Sequence, residues 1–134
     1  MSDLTILLVE DNPEDVSFFK RALSKAGLSW NIRVAEDGQK AMDQLSIGSA
    51  GPPPWHVLLD LKLPKKSGLE VLAWIRGHPT LRQLPVIVLT SSDVPADVEE
   101  AQSLGIDAYI VKPLTTSGLV DSVRQIARRW EPGA

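Results

Sequence analysis

The chain has 134 residues, 43% hydrophobic and 23% charged, which suits one globular domain and argues against a disordered chain. Cysteine is absent and there are only two histidines, His56 and His78, which excludes disulfides, thiolate-held zinc, iron–sulfur clusters and a His-rich metal site. With 17 acidic against 14 basic residues the net charge is −3, so the basic stripe of a nucleic-acid binder is not expected, and no apolar run approaches a membrane span.

The start, Met1-Ser2-Asp3, lacks the basic end and apolar stretch of a signal peptide, so a cytoplasmic location is expected. Residues 6–9 are an apolar run that predicts a first strand. Asn12-Pro13-Glu14-Asp15 reads as an N-cap, a proline at the first helical position and acids in the first turn. Val16, Phe19, Leu23 and Ala26 then recur at helical spacing, and Gly27 ends the run. Residues 32–35, interrupted by Arg33, predict a weaker strand of the kind found at a sheet edge. Asp37-Gly38 leads into a second helix bearing Ala41, Met42 and Leu45.

Residues 48–54, Gly-Ser-Ala-Gly-Pro-Pro-Pro, suit neither helix nor strand and read as a surface loop, anchored on the body by Trp55. Residues 57–59 predict a third strand, and Gly68 opens a helix with Leu69, Leu72 and Ile75 facing inward. Residues 86–89 predict a fourth strand, Pro95–Leu104 a fourth helix closed by Gly105, and Ala108–Val111 a fifth strand. Thr116-Ser117 are placed as the cap of a fifth helix with Leu119, Val123, Ile126 and Trp130 on one face. The strong strands are apolar on consecutive residues, as strands covered on both faces are. Five strands alternating with five helices predict right-handed βαβ units around a parallel sheet.

Ligands of an open parallel sheet bind beyond the carboxyl ends of its strands. Glu10 and Asp11 follow the first strand, the third ends with Asp60, the fourth ends with Thr90, and Lys112 with Pro113 follows the fifth. Singly, an acidic pair is often a solvated turn, a threonine a turn residue and a lysine a surface group. Their shared position on one rim points to chemistry. Neighbouring carboxylates repel unless a cation sits between them, and oxygen donors without His or Cys suit Mg2+ or Mn2+. A divalent ion so held is a usual partner of phosphate, with a lysine and a hydroxyl for the phosphate oxygens and a carboxylate as nucleophile.

The stretches Ile6-Leu7-Leu8-Val9-Glu10-Asp11-Asn12-Pro13, Val57-Leu58-Leu59-Asp60-Leu61, Leu63-Pro64-Lys65-Lys66-Ser67-Gly68, Pro85-Val86-Ile87-Val88-Leu89-Thr90-Ser91 and Gly105-Ile106-Asp107-Ala108-Tyr109-Ile110-Val111-Lys112-Pro113 resemble the receiver domain of two-component response regulators. The resemblance implies an α/β, doubly wound, flavodoxin-like fold: five parallel strands in the order 2-1-3-4-5, with five helices. It implies a single receiver domain over residues 1–134 without an output domain, and no enzymatic turnover beyond self-catalysed phosphoryl transfer and dephosphorylation. By the same resemblance Asp60 is the phosphoacceptor. Asp11 ligates Mg2+ directly, Glu10 does so through water, and the backbone carbonyl of Lys62 is a further ligand. Thr90 and Lys112 contact the phosphoryl group, Thr90 and Tyr109 form the switch, and the Lys112–Pro113 bond is cis.

Glu10-Asp11-Asn12-Pro13-Glu14-Asp15, the Leu-Lys-Leu-Pro-Lys-Lys-Ser-Gly stretch at 61–68, Leu89-Thr90-Ser91-Ser92 and Trp130 are similar to the single-domain regulators that serve bacterial phytochromes. That implies a sensor histidine kinase as partner. It also allows a homodimer through the fourth helix, fifth strand and fifth helix. Val120 and Ala127 either add apolar area to such a contact or widen the core face of the last helix. Arg124, Arg128 and Arg129 form a small basic patch expected to face solvent or a protein partner rather than DNA.

Three other readings remain beside this one. A haloacid-dehalogenase-type hydrolase needs a second Asp two residues after the nucleophile, where this chain has Lys62. A nucleotide-binding protein needs a glycine-rich phosphate loop after the first strand, which is absent. A non-phosphorylated scaffold on the same fold needs nothing the sequence lacks. Lys62 also stands where the family often has an uncharged residue, and its ammonium is expected to shield an acyl phosphate from water.

Overall fold

A computed structural model describes residues 4–46 and 55–131, so the loop expected at 48–54 lies outside the described residues. Among the described residues strands and helices alternate. They are β1 (Thr5–Val9), α1 (Pro13–Lys25), β2 (Asn31–Ala35), α2 (Gly38–Ser46), β3 (His56–Leu59), α3 (Gly68–Gly77), β4 (Val86–Thr90), α4 (Pro95–Leu104), β5 (Ala108–Val111) and α5 (Thr116–Trp130). All strand pairs are parallel and the order is β2-β1-β3-β4-β5, the doubly wound arrangement expected from the sequence.

The unbroken apolar runs divide between two layers because successive strand side chains point to opposite faces. Leu7, Val9, Val57, Leu59, Val86 and Val88 face α2, α3 and α4, where Leu72, Ile75 and Ala101 complete a core with Trp55. Ile6, Leu8, Leu58, Ile87, Leu89 and Ile110 face α1 and α5, packing on Phe19, Leu23, Val123 and Ile126. The edge strand β2 is half-buried on alternate residues and buried only at Ala35, which accounts for its weaker apolar signal.

Helix ends match local chemistry. Asn12 Oδ1 accepts from the Glu14 N–H at 2.9 Å with Pro13 at the first helical position. Ser67 and Glu70 form a reciprocal capping box at the start of α3. At α5 the structure corrects the sequence reading: Thr115 is the cap, its hydroxyl accepting from the Gly118 N–H at 3.0 Å, and Thr116 is already helical. Val120 is buried and Ala127 packs on the same core, so both widen the inward face of α5. Arg76 at the end of α3 donates to the carbonyls of Arg82, Leu84 and Gly105, tying the α3–β4 connection to the end of α4. Among the described residues no helix is long and apolar enough to cross a membrane.

Candidate phosphoacceptor site

Strand register assembles the site. Val9 pairs with Leu59, Leu59 with Val88, and Thr90 with Val111, so β1, β3, β4 and β5 end at one rim. The residues that follow, Glu10, Asp60 and Lys112, stay anchored by ladder-like bonds. Glu10 N–H donates to Ala35 O at 3.0 Å, Asp60 N–H to Val9 O at 3.1 Å and Lys112 N–H to Thr90 O at 2.8 Å. Thr90 is the last residue of β4, the strand end expected from the sequence, with its backbone paired to Val111.

Asp60 is buried and fully engaged. Its Oδ1 accepts from the Thr90 hydroxyl at 2.7 Å and from the Lys62 N–H at 3.1 Å, and its Oδ2 accepts from Lys112 Nζ at 3.0 Å. Glu10, Asp11 and Asp60 bring carboxylate oxygens within 4.8 Å of one another, with Asp11 exposed and the other two buried. Hard oxygen donors in this number fit a divalent cation that keeps part of its water. Burial pushes the Glu10 carboxyl up to about 7, with Asp60 repulsion adding to it and the Lys112 ion pair opposing it. Burial alone would draw protons off Lys112. Hydrogen bonds to Asp15, Glu10 and Asp60 outweigh it and hold the ammonium charged well above its usual range.

The β3–α3 loop turns back under the rim. Gly68 N–H donates to Leu61 O at 3.0 Å, and a Cβ on Gly68 would lie 2.2 Å from the Asp60 carbonyl oxygen. No residue with a side-chain carbon fits there without moving the backbone of Asp60. Lys62 offers its backbone to Asp60 while its side chain is exposed. Tyr109 lies half-buried beside β4, its hydroxyl donating to the Ser92 carbonyl at 2.8 Å.

One rim residue escaped the sequence reading. Asp15, taken there as a first-turn acid complementing the helix dipole, accepts from Lys112 Nζ at 2.8 Å across 97 positions of sequence. The signal was its place: it is the third residue of α1, and helical side chains lean toward the N-terminus, here toward the rim.

The family model for the response regulator receiver domain matches residues 6–124. The chain belongs to the response regulator receiver family. A receiver of this family is a phosphoacceptor in a two-component relay and not a conventional enzyme. Among curated relatives, the receiver is 39% identical over 127 residues to the probable methanogenesis regulatory protein FilR2 of Methanothrix harundinacea (strain 6Ac), covering 93% of this chain and 82% of that protein. The crystal structure of the phosphorylated cyanobacterial phytochrome response regulator RcpA superposes with a TM-score of 0.89 at 35% identity, covering 99% of this receiver and 97% of that chain. The Mn2+-bound form of response regulator Rcp1 superposes with a TM-score of 0.85 at 34% identity over 98% and 96% of the two chains. The acidic cluster of this receiver is accordingly a divalent-cation site of the receiver type.

Proposed function

We propose that Asp60 accepts the phosphoryl group, with Mg2+ held by the carboxylates of Glu10, Asp11 and Asp60 and the backbone carbonyl of Lys62. The observation that carries this is the environment of Asp60: a buried carboxylate at a strand end that binds a hydroxyl, a backbone N–H and an ammonium at once. An Asp60 oxygen attacks the phosphorus of a phosphohistidine, the O–P bond forms as the N–P bond breaks, and the bonding pair returns to the imidazole. The metal supplies charge neutralisation for the transferring oxygens. Thr90 and Lys112 exchange their hold on the Asp60 carboxylate for the new phosphoryl oxygens.

We take the donor to be a sensor histidine kinase of the phytochrome type, which the likeness to RcpA supports. The location is then cytoplasmic, where such kinases draw ATP. Output passes through Tyr109 to the face formed by α4, β5 and α5, as a contact with a protein partner or a second copy.

Incubation with Mg2+ and acetyl phosphate is expected to place one alkali-labile phosphate on the wild type and none on Asp60→Asn. An unlabelled wild type would favour the scaffold reading. Phosphotransfer from a phytochrome-type kinase, compared with a kinase lacking a light sensor, tests the donor, since FilR2 is named for a different regulatory setting.

A further inference from the structure

Three carboxylates share the Lys112 ammonium: Glu10 at 2.6 Å, Asp15 at 2.8 Å and Asp60 at 3.0 Å. An ammonium has three N–H donors, so each is occupied. Two of these partners have a competing use. Glu10 and Asp60 belong with Asp11 to the cluster that suits a cation, and Asp60 is the carboxylate that changes on phosphorylation. Asp15 stands outside that cluster. A cation drawing on Glu10 and Asp60 weakens two of the three bonds that orient Lys112 and leaves the third.

We propose that Asp15 is a positioning residue for phosphoryl transfer: it keeps the Lys112 ammonium at the rim while Glu10 and Asp60 turn to the cation and the phosphoryl group. Local structure supports the role. Asn12 and Pro13 fix the start of α1, so Asp15 approaches Lys112 from a rigid helical turn. A small cavity under the pair is lined by Leu8, Phe19, Leu89 and Leu119, and the other carboxylate in its lining is Glu10, on which the cation also draws. The Asp15 side chain is 34% exposed, against 5% for Glu10 and 6% for Asp60, so its substitution leaves no carboxylate buried without a partner. The proposal rests on the phosphoacceptor reading of Asp60.

The test uses the full chain as wild type, Asp15→Asn and Asp15→Glu. Initial phosphorylation rates with acetyl phosphate are measured over a Mg2+ series. Proton exchange at Lys112 Nζ is measured separately by NMR, with and without Mg2+ and without phosphodonor. Asp15→Asn is expected to slow phosphorylation about three- to tenfold with the Mg2+ half-saturation held within about twofold, as loss of one charge-assisted hydrogen bond to an orienting group would do. Asp15→Glu is expected to recover most of the rate, and Nζ exchange to quicken in Asp15→Asn. A wild-type rate in Asp15→Asn, an Asp15→Glu rate no better, or unchanged Nζ exchange overturns the proposal. A wild type that takes no phosphate overturns the functional reading instead, and the exchange measurement then decides the role of Asp15 alone.

Discussion

The Tyr109 hydroxyl donates to the carbonyl oxygen of Ser92 at 2.8 Å, so the aromatic ring on β5 is held by the residue that links the site to α4. Ser92 is buried, its N–H donates to Thr90 Oγ1 at 3.3 Å, and its hydroxyl donates to Asp97 Oδ2 at 2.7 Å in the first turn of α4. Any movement of Thr90 is therefore felt at both Tyr109 and α4. Burial, together with Asp97, Asp93 and Asp60, holds the Tyr109 hydroxyl above its usual ionisation range, partly opposed by its bond to Ser92. Ser92→Ala is expected to cost about 1–3 kcal/mol, the scale of a buried hydrogen bond to a charged group. It should speed amide exchange in the first turn of α4 and leave the Asp60 phosphorylation rate within about twofold, since no bond to Asp60 is lost. Denaturant melts, hydrogen exchange and acetyl-phosphate labelling check the three parts.

Gly68→Ala should be costly for a reason the glycine's own backbone does not show. The added Cβ would meet the Asp60 carbonyl at 2.2 Å and Leu61 Cα at 2.5 Å, and both are backbone atoms that cannot swing aside. The expected loss is about 1–3 kcal/mol of stability, with weaker Mg2+ binding because Asp60 itself must shift. Gly77→Ala is the control. Nothing lies within 4 Å of its Cβ, and it should be neutral or stabilising by about 0.5 kcal/mol. Thermal melts with and without Mg2+ separate the two.

His56 gives the far end of the sheet a pH dependence. Its ring lies 4.8 Å from that of Trp130, and its buried Nδ1 has no hydrogen-bond partner among the described residues. Burial lowers its pKa below 6.5, against the pull of Asp107 and Glu131. The unfolded chain then binds the proton more readily than the folded one. The contribution of neutral His56 is complete above the unfolded value and is lost as pH falls below it. Between about pH 7.5 and pH 5.5 the melting temperature of the wild type should fall more than that of His56→Phe, which keeps the ring contact and cannot titrate. Parallel melting curves for the two proteins would contradict this.

Lys62 touches Asp60 through its backbone N–H alone, with its side chain exposed beside the site. We propose that its ammonium shields the acyl phosphate from attacking water. Lys62→Asn is expected to shorten the acyl-phosphate lifetime by at least about twofold, the scale of one exposed charge. An equal or longer lifetime, measured by decay of the labelled protein after donor removal, refutes it.

The elements were legible because their signals are local. Consecutive apolar residues suffice to mark strands covered on two sides, and Asn12 by its side-chain oxygen and Pro13 and Gly105 by their backbone mark helix ends. The cap of α5 was misplaced by one residue because Thr115, Thr116 and Ser117 carry the same hydroxyl. Only the backbone angles at Thr115 choose among them.

Alternating elements and polar groups after each apolar run were enough to put Glu10, Asp11, Asp60, Thr90 and Lys112 on one rim, since a parallel sheet aligns its strand ends. The third partner of Lys112, Asp15, was not readable. Asp15 meets it from the first turn of α1 only once the chain has folded, and the two residues share no pattern along the chain. Ser92 likewise gained its role from the packing of β5 against β4. Local sequence decides which backbone each segment adopts; which side chains then meet depends on how layers pack, a property of the whole chain.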